Sequence, residues 1–193
     1  MTPERILLPL DIRKCPLDVF SVVNGLANHP GATVILLHVV TLSIAAPEKG
    51  VYEQLGRDAH WYLERLAGQC VHAGVDTSIR VRFGKPADEI LAEAEDEGVD
   101  LIVLASKLPS FWRCLFAPIV PRVIERVVRE ATCGVFLTAA KRRFNCEDIW
   151  GRPGHDSDTA LDHLDEALDS RTSPKLLNED AFASVQESHR AAT

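Results

Sequence analysis

Residues 99–140 read VDLIVLASKLPSFWRCLFAPIVPRVIERVVREATCGVFLTAA. Asp100 to Leu104, DLIVL, is short and continuously apolar after its first residue, which predicts a strand covered on both faces. Val120, Val123, Ile124, Val127 and Val128 recur at helical spacing, with Arg122, Glu125, Arg126, Arg129 and Glu130 outside the stripe, so a surface helix is predicted there. Gly134 to Thr138, GVFLT, is a second buried strand. Strand, loop, helix and strand make one unit of a parallel sheet. The loop Ala105 to Pro121 leaves the carboxyl end of the first strand, where open α/β sheets bind their ligands.

Upstream the same alternation repeats. Ile6 to Leu10 reads as a buried strand, with Pro9 near its end and Asp11 just beyond. Pro16 is suited to open a helix, followed by Val19, Phe20, Val22, Val23, Leu26 and Ala27 at helical spacing and ended by His29-Pro30-Gly31. Thr33 to Val40, TVILLHVV, reads as a central parallel strand, with His38 a hydrogen-bonded core residue rather than a ligand. Glu53 to Ala73 is predicted as a long amphipathic helix closed by Gly74. Ser78 to Phe83 alternates polar and apolar, so it is placed toward a sheet edge. Pro86 opens a helix with Ile90, Leu91 and Ala94 buried, and with Glu89, Glu93, Glu95, Asp96 and Glu97 read as its wet face. The order predicts an α/β fold, a doubly wound parallel sheet of five strands with helices on both faces.

A different texture begins at Lys141. Residues 1–140 are therefore expected to form the α/β domain, and residues 141–193 an acidic C-terminal tail with one or two short helices. The chain has 193 residues, 46% of them hydrophobic, enough for a sizeable core. A net charge of −7 argues against a nucleic-acid partner. No apolar run approaches the ~20 residues of a membrane span, and the N-terminus lacks the order of a signal peptide, so no stable membrane insertion and a cytoplasmic location are expected. The five cysteines, Cys15, Cys70, Cys114, Cys133 and Cys146, show no CxxC spacing and read as free thiols, Cys114 beside Arg113 being the one to watch for reactivity. Neither a GxSxG nor an HExxH motif appears, so no catalytic residue and no metal site are expected.

From Pro3 to Ala139 the chain resembles the universal stress protein family. RILLPLD, VILLHVV, FGKPADEIL, VDLIVLAS and IERVVREATCGVFL carry the resemblance together, through their order and spacing. It implies strand order 3-2-1-4-5 in an adenine-nucleotide α-hydrolase-like fold, and a homodimer through the last strand, Gly134 to Thr138. It also implies a nucleotide crevice at the carboxyl ends of strands one and four. Pro9, Leu10, Asp11 and Val39 stand at the adenosine half, where Asp11 could accept from ribose hydroxyls.

ATP-binding members carry G-x2-G-x9-G-[S/T] after the fourth strand, because glycine lets backbone N–H groups approach phosphate. Here the loop Leu104, Ala105, Ser106, Lys107, Leu108 places Ala105 and Leu108 on the glycines. The closing pair falls on Pro121-Arg122, just before Val123, or on Pro118-Ile119. Proline offers no N–H. A stress-response interaction protein that binds ATP poorly is therefore expected, with no cofactor required. The alternative is an adenine-nucleotide sensor using Asp11 and Val39, binding ATP or AMP with side-chain contacts from Lys107, Arg113 and Arg122.

Phe111, Trp112, Leu115 and Phe116 are unusual for a loop. Three readings stay open: they fold back over the pocket, they dock a protein partner, or they form a wedge that touches a membrane surface. In one version the partner is the chain's own tail, with Arg113, Arg122 and Arg126 facing Asp162, Asp165, Glu166 and Asp169.

Overall fold

The computed structural model describes residues 2–41, 49–72, 74–106, 122–139 and 143–153. Among the described residues are five strands: β1 (Arg5–Pro9), β2 (Thr33–Val40), β3 (Asp76–Phe83), β4 (Leu101–Ser106) and β5 (Gly134–Ala139). They form one sheet in the order β3-β2-β1-β4-β5, and every neighbouring pair is parallel. The described helices are α1 (Val19–Leu26), α2 (Lys49–Cys70), α3 (Pro86–Asp96), α4 (Arg122–Glu130) and α5 (Cys146–Trp150). None of them is long and apolar enough to cross a membrane.

The central strands β2, β1 and β4 are largely apolar because both faces are covered, whereas β5, expected as a buried strand, is an exposed edge that has no neighbour on its outer side to cover it. Leu7, Ile35, Leu37, Ile102 and Leu104 meet Ala87, Ile90 and Ala94 of α3 and Ile124 and Val127 of α4 in one buried cluster. The alternate positions Ile6, Leu8, Val34 and Leu36 turn to the other face and are equally buried, as are Leu63 and Leu66 of α2. Asp100 fastens the centre of the sheet at its amino end. Its Oδ2 accepts from the N–H groups of Glu4 and Arg5, at 3.0 and 2.9 Å.

Two helix boundaries differ in detail from the sequence reading and a third agrees. Pro16 starts a turn, in which Val19 N–H donates to its carbonyl at 3.0 Å, and the regular helix begins only at Val19. The second helix starts earlier and ends at Cys70; Gly74 follows in the turn with φ +95°. The third starts at Pro86 as expected, with Pro in its first turn.

The wet face assigned to α3 needs correction. Glu93 is buried, 4% exposed. Arg82 of edge strand β3 reaches it at 2.6 Å, and also Glu89 and Asp96, each at 2.9 Å. Arg80 lies 3.3 Å from Glu93 and 2.8 Å from Glu97, which Arg5 also contacts. Alternation along β3 turns both arginines toward α3, where a core strand would carry apolar residues. Hydrogen bonds to Asp96, then to Glu93, raise the Arg82 pKa despite burial, and Arg80 lowers that of Glu97.

Chain beyond Ala140 also enters the α/β body. Cys15 and Phe144 form an antiparallel bridge, with Cys15 N–H donating to Phe144 O at 2.7 Å and Phe144 N–H to Cys15 O at 2.8 Å. Asn145 caps α5, accepting from Glu147 N–H at 3.3 Å. Cys146, Ile149 and Trp150 are buried, and Tyr62 Oη–H of α2 donates to Gly151 O at 2.8 Å. Residues 143–153 thus belong to the same compact unit as the sheet.

Candidate functional site

A proline decides where the sheet opens. Odd residues of β1 bond toward β4, as when Asp100 N–H donates to Arg5 O at 3.0 Å. Even residues bond toward β2: Glu4 O accepts from Thr33 N–H, and Leu10 N–H donates to Leu37 O, both at 2.7 Å. Pro9 is an odd position, so the N–H it lacks is the donor that would have aimed at β4. The β1–β4 ladder stops at Leu7 and Ile102, while β1–β2 runs to Pro9 and Leu37 and β4–β5 to Ser106 and Ala139. The two halves of the sheet part at their carboxyl ends, at the point where strand order reverses.

Several predicted residues meet there. Val39 from β2, Leu104 from β4 and Val123 from the first turn of α4 all pack on the cluster beneath α3 and α4. Pro9, alternating with Leu7, belongs to the same face. Leu10 turns the other way and is buried, while Asp11 is exposed in the loop after β1. Asp11 Oδ1 accepts from Arg13 N–H at 3.1 Å and its carbonyl from Lys14 N–H at 2.9 Å, which gives the loop a compact turn. Ala105 is half-buried, Ser106 closes β4, and Arg122 is exposed at the start of α4. Lys107, Leu108, Phe111, Trp112, Arg113, Leu115, Phe116 and Pro121 lie outside the described residues, as does Cys114.

His38 is the member of this edge whose role the sequence left general. Its Nδ1–H donates to Leu10 O at 2.8 Å, which locks the end of β2 to the segment that carries Asp11. Burial pushes its pKa below the ordinary 6.5, against the opposing effect of the Leu10 hydrogen bond. The unfolded chain therefore takes up the proton at higher pH than the folded one. The contribution to stability is whole above pH 6.5 and is lost as pH falls through the folded value. In urea unfolding at pH 7 and pH 5.5, His38→Gln should lose less stability on acidification than wild type. Equal losses would show that His38 is not the titrating group.

The site offers an exposed carboxylate, an apolar floor and a helix beginning beside it. Among the described residues, no three His, Cys, Asp or Glu side chains come together as a metal-ligand set. Arg126, one of the cations set against the tail, already pairs with Asp88 at 2.5 Å and Glu130 at 3.0 Å.

The model of the universal stress protein family matches residues 3–138. The chain belongs to the universal stress protein family. Among solved structures it is similar to hypothetical protein MJ0577, at 23% identity and TM-score 0.60, covering 74% of this chain and 99% of that one. It is also similar to hypothetical protein PH0823, at 27% identity and TM-score 0.52, covering 70% and 96%. A universal stress protein from Archaeoglobus fulgidus shares the fold at 16% identity and TM-score 0.51, covering 69% and 96%. No protein of curated function matches the chain. Within this universal stress protein fold, β1 and β4 part at their carboxyl ends, beside Asp11.

Proposed function

We propose that this universal stress protein is a stress-response interaction module whose crevice keeps the adenosine half and has lost the phosphate cradle. The observation that carries the reading is the run Leu104 to Leu108, with Ala105 and Leu108 where the phosphate-binding relatives need glycine. Asp11, exposed beside the parting of β1 and β4, supports retention of the ribose side. Each charge-assisted backbone bond lost costs about 1.5–3 kcal/mol, so two of them weaken a triphosphate about a hundredfold or more. Lys107 and Arg122 supply side-chain contacts that recover part of this. With no catalytic motif in the sequence, the module is read as non-catalytic and cytoplasmic.

Two surfaces serve its partners. The edge strand β5 leaves Phe136 and Leu137 exposed at 42% and 41%, and these suit pairing with a second copy. The Phe111, Trp112, Leu115 and Phe116 loop is the docking surface for a protein partner.

Calorimetric titration of the full chain with AMP and with ATP tests the nucleotide reading. AMP should bind at least as well as ATP, and neither below about 0.1 mM. Micromolar ATP binding with a clear triphosphate preference would refute it. Light scattering tests the pairing separately: wild type should be dimeric and Phe136→Glu largely monomeric. A monomeric wild type at 0.1 mM or so would remove the β5 interface.

A further inference from the structure

Two thiols meet where the C-terminal segment returns to the loop after β1. The Cys15–Phe144 bridge aligns the two segments, and Cys146 N–H adds a third bond to Ile12 O at 2.8 Å. Cys15 and Cys146 are both buried, 0% and 1% exposed, and the Cys15 thiol hydrogen-bonds the Cys146 thiol. Both are free in this structure. A single buried cysteine is an ordinary small apolar residue. Here, however, two segments far apart in sequence are aligned by three backbone bonds, and both thiols are buried at the one junction those bonds make.

We propose that Cys15 and Cys146 are a reversible disulfide pair, formed by peroxide, that clamps the C-terminal segment onto the loop carrying Asp11. The closed pair is protected: the hydrogen bond from Cys146 and burial raise the Cys15 pKa far above the thiol range. Oxidation therefore starts when the segment 143–151 swings open. Its helix has only five residues, so local opening is far easier than global unfolding.

In the open state the Cys146 thiolate attacks hydrogen peroxide. A sulfur–oxygen bond forms, the oxygen–oxygen bond breaks, and the departing hydroxide takes up the thiol's proton as water. The product is a sulfenic acid. As the segment recloses, and before Cys15 is buried again, the Cys15 thiolate attacks the Cys146 sulfur; the sulfur–oxygen bond breaks, and the hydroxyl leaves with the proton Cys15 gave up, as a second water. In sum, two thiols lose two electrons to one peroxide. A low-molecular-weight thiol reverses the bond by exchange. Cys70 of α2 is near enough to act on the pair electrostatically, but burial pushes its own pKa up to about 12 and no backbone bridge aligns it.

The experiment treats the reduced full chain with hydrogen peroxide, blocks remaining thiols under denaturing conditions and maps the digest without reductant. A Cys15–Cys146 linked peptide is expected, with two fewer free thiols. Tm should rise by about 5–10 °C and return on adding dithiothreitol. Cys146→Ser should abolish link and shift, and Cys70→Ser should keep both. If Cys146→Ser does not fold, the wild-type map alone decides. Cys15 and Cys146 both still blockable after peroxide, or either linked instead to Cys70 or Cys114, would overturn the assignment.

Discussion

Trp150→Ala destabilises the protein by about 3–5 kcal/mol, the range for emptying a buried indole site. Trp150 is 2% exposed and sits at the end of a helix of five residues. So short a helix has no stability of its own. What holds it is the burial of Cys146, Ile149 and Trp150, the Asn145 cap, and the bond from Tyr62 Oη–H to Gly151 O. Removing the indole therefore releases the segment as well as leaving a void. Amide exchange should then accelerate at Cys15, Phe144 and Cys146, whose N–H groups donate across the same junction, while the β2–β3 ladder stays protected. Trp150→Phe should cost about half as much. A loss below 1 kcal/mol for Trp150→Ala, with the Cys15 amide still protected, would mean that residues 143–151 are not part of the fold.

Arg82→Met is expected to cost about 2–4 kcal/mol in urea unfolding at neutral pH. Glu93 is 5% exposed at its side chain, and Arg82 is its closest cation. Without it the carboxylate keeps only Arg80, at 3.3 Å and aligned as an ion pair rather than a hydrogen bond. That partial compensation places the cost below that of a wholly orphaned buried charge. Glu89 and Asp96 lose the same guanidinium, but both are exposed enough to be rehydrated at little cost. The double variant Arg82→Met/Glu93→Leu should recover most of the loss, since the expense lies in the unpaired buried charge. A double variant less stable than Arg82→Met would show that the pair itself adds net stability. A single variant within 0.5 kcal/mol of wild type would show that water reaches Glu93.

The contrast between these two features and the strands shows what sequence can carry. TVILLHVV and DLIVL are legible because a central parallel strand needs apolar residues on both faces, and the polar alternation of SIRVRF is legible as an edge. Arg80 and Arg82 are different. They look like the solvent side of a strand, and Glu89, Glu93 and Glu97 look like the solvent side of a helix. Only the topology, which carries α3 back across the sheet within reach of the β3 arginines, turns two apparently wet faces toward each other. The C-terminal segment is hidden for another reason. Phe144, Cys146, Ile149 and Trp150 are too few to display a period among so many charges, and the partner of Phe144 is a backbone position at Cys15.

In the cleft, the residue types at the glycine positions are visible in the sequence. The opening between β1 and β4 is less so. It depends on Pro9 standing at a position that bonds toward β4 rather than β2, and that parity follows from register. His38 is similar: a hydrogen-bonded core histidine can be expected, but its acceptor, Leu10 O, is known only once β1 and β2 are aligned.

The most direct test compares AMP and ATP affinities, by calorimetry under one salt condition, for wild type and for Leu108→Gly/Pro121→Gly. Restoring the two glycines should raise the preference for ATP over AMP about tenfold or more, through one or two recovered backbone bonds, and leave AMP affinity unchanged. Wild type should show no such preference. A wild-type chain that already prefers ATP, with no further gain on restoring glycine, would contradict the account of a cleft that has lost its hold on phosphate.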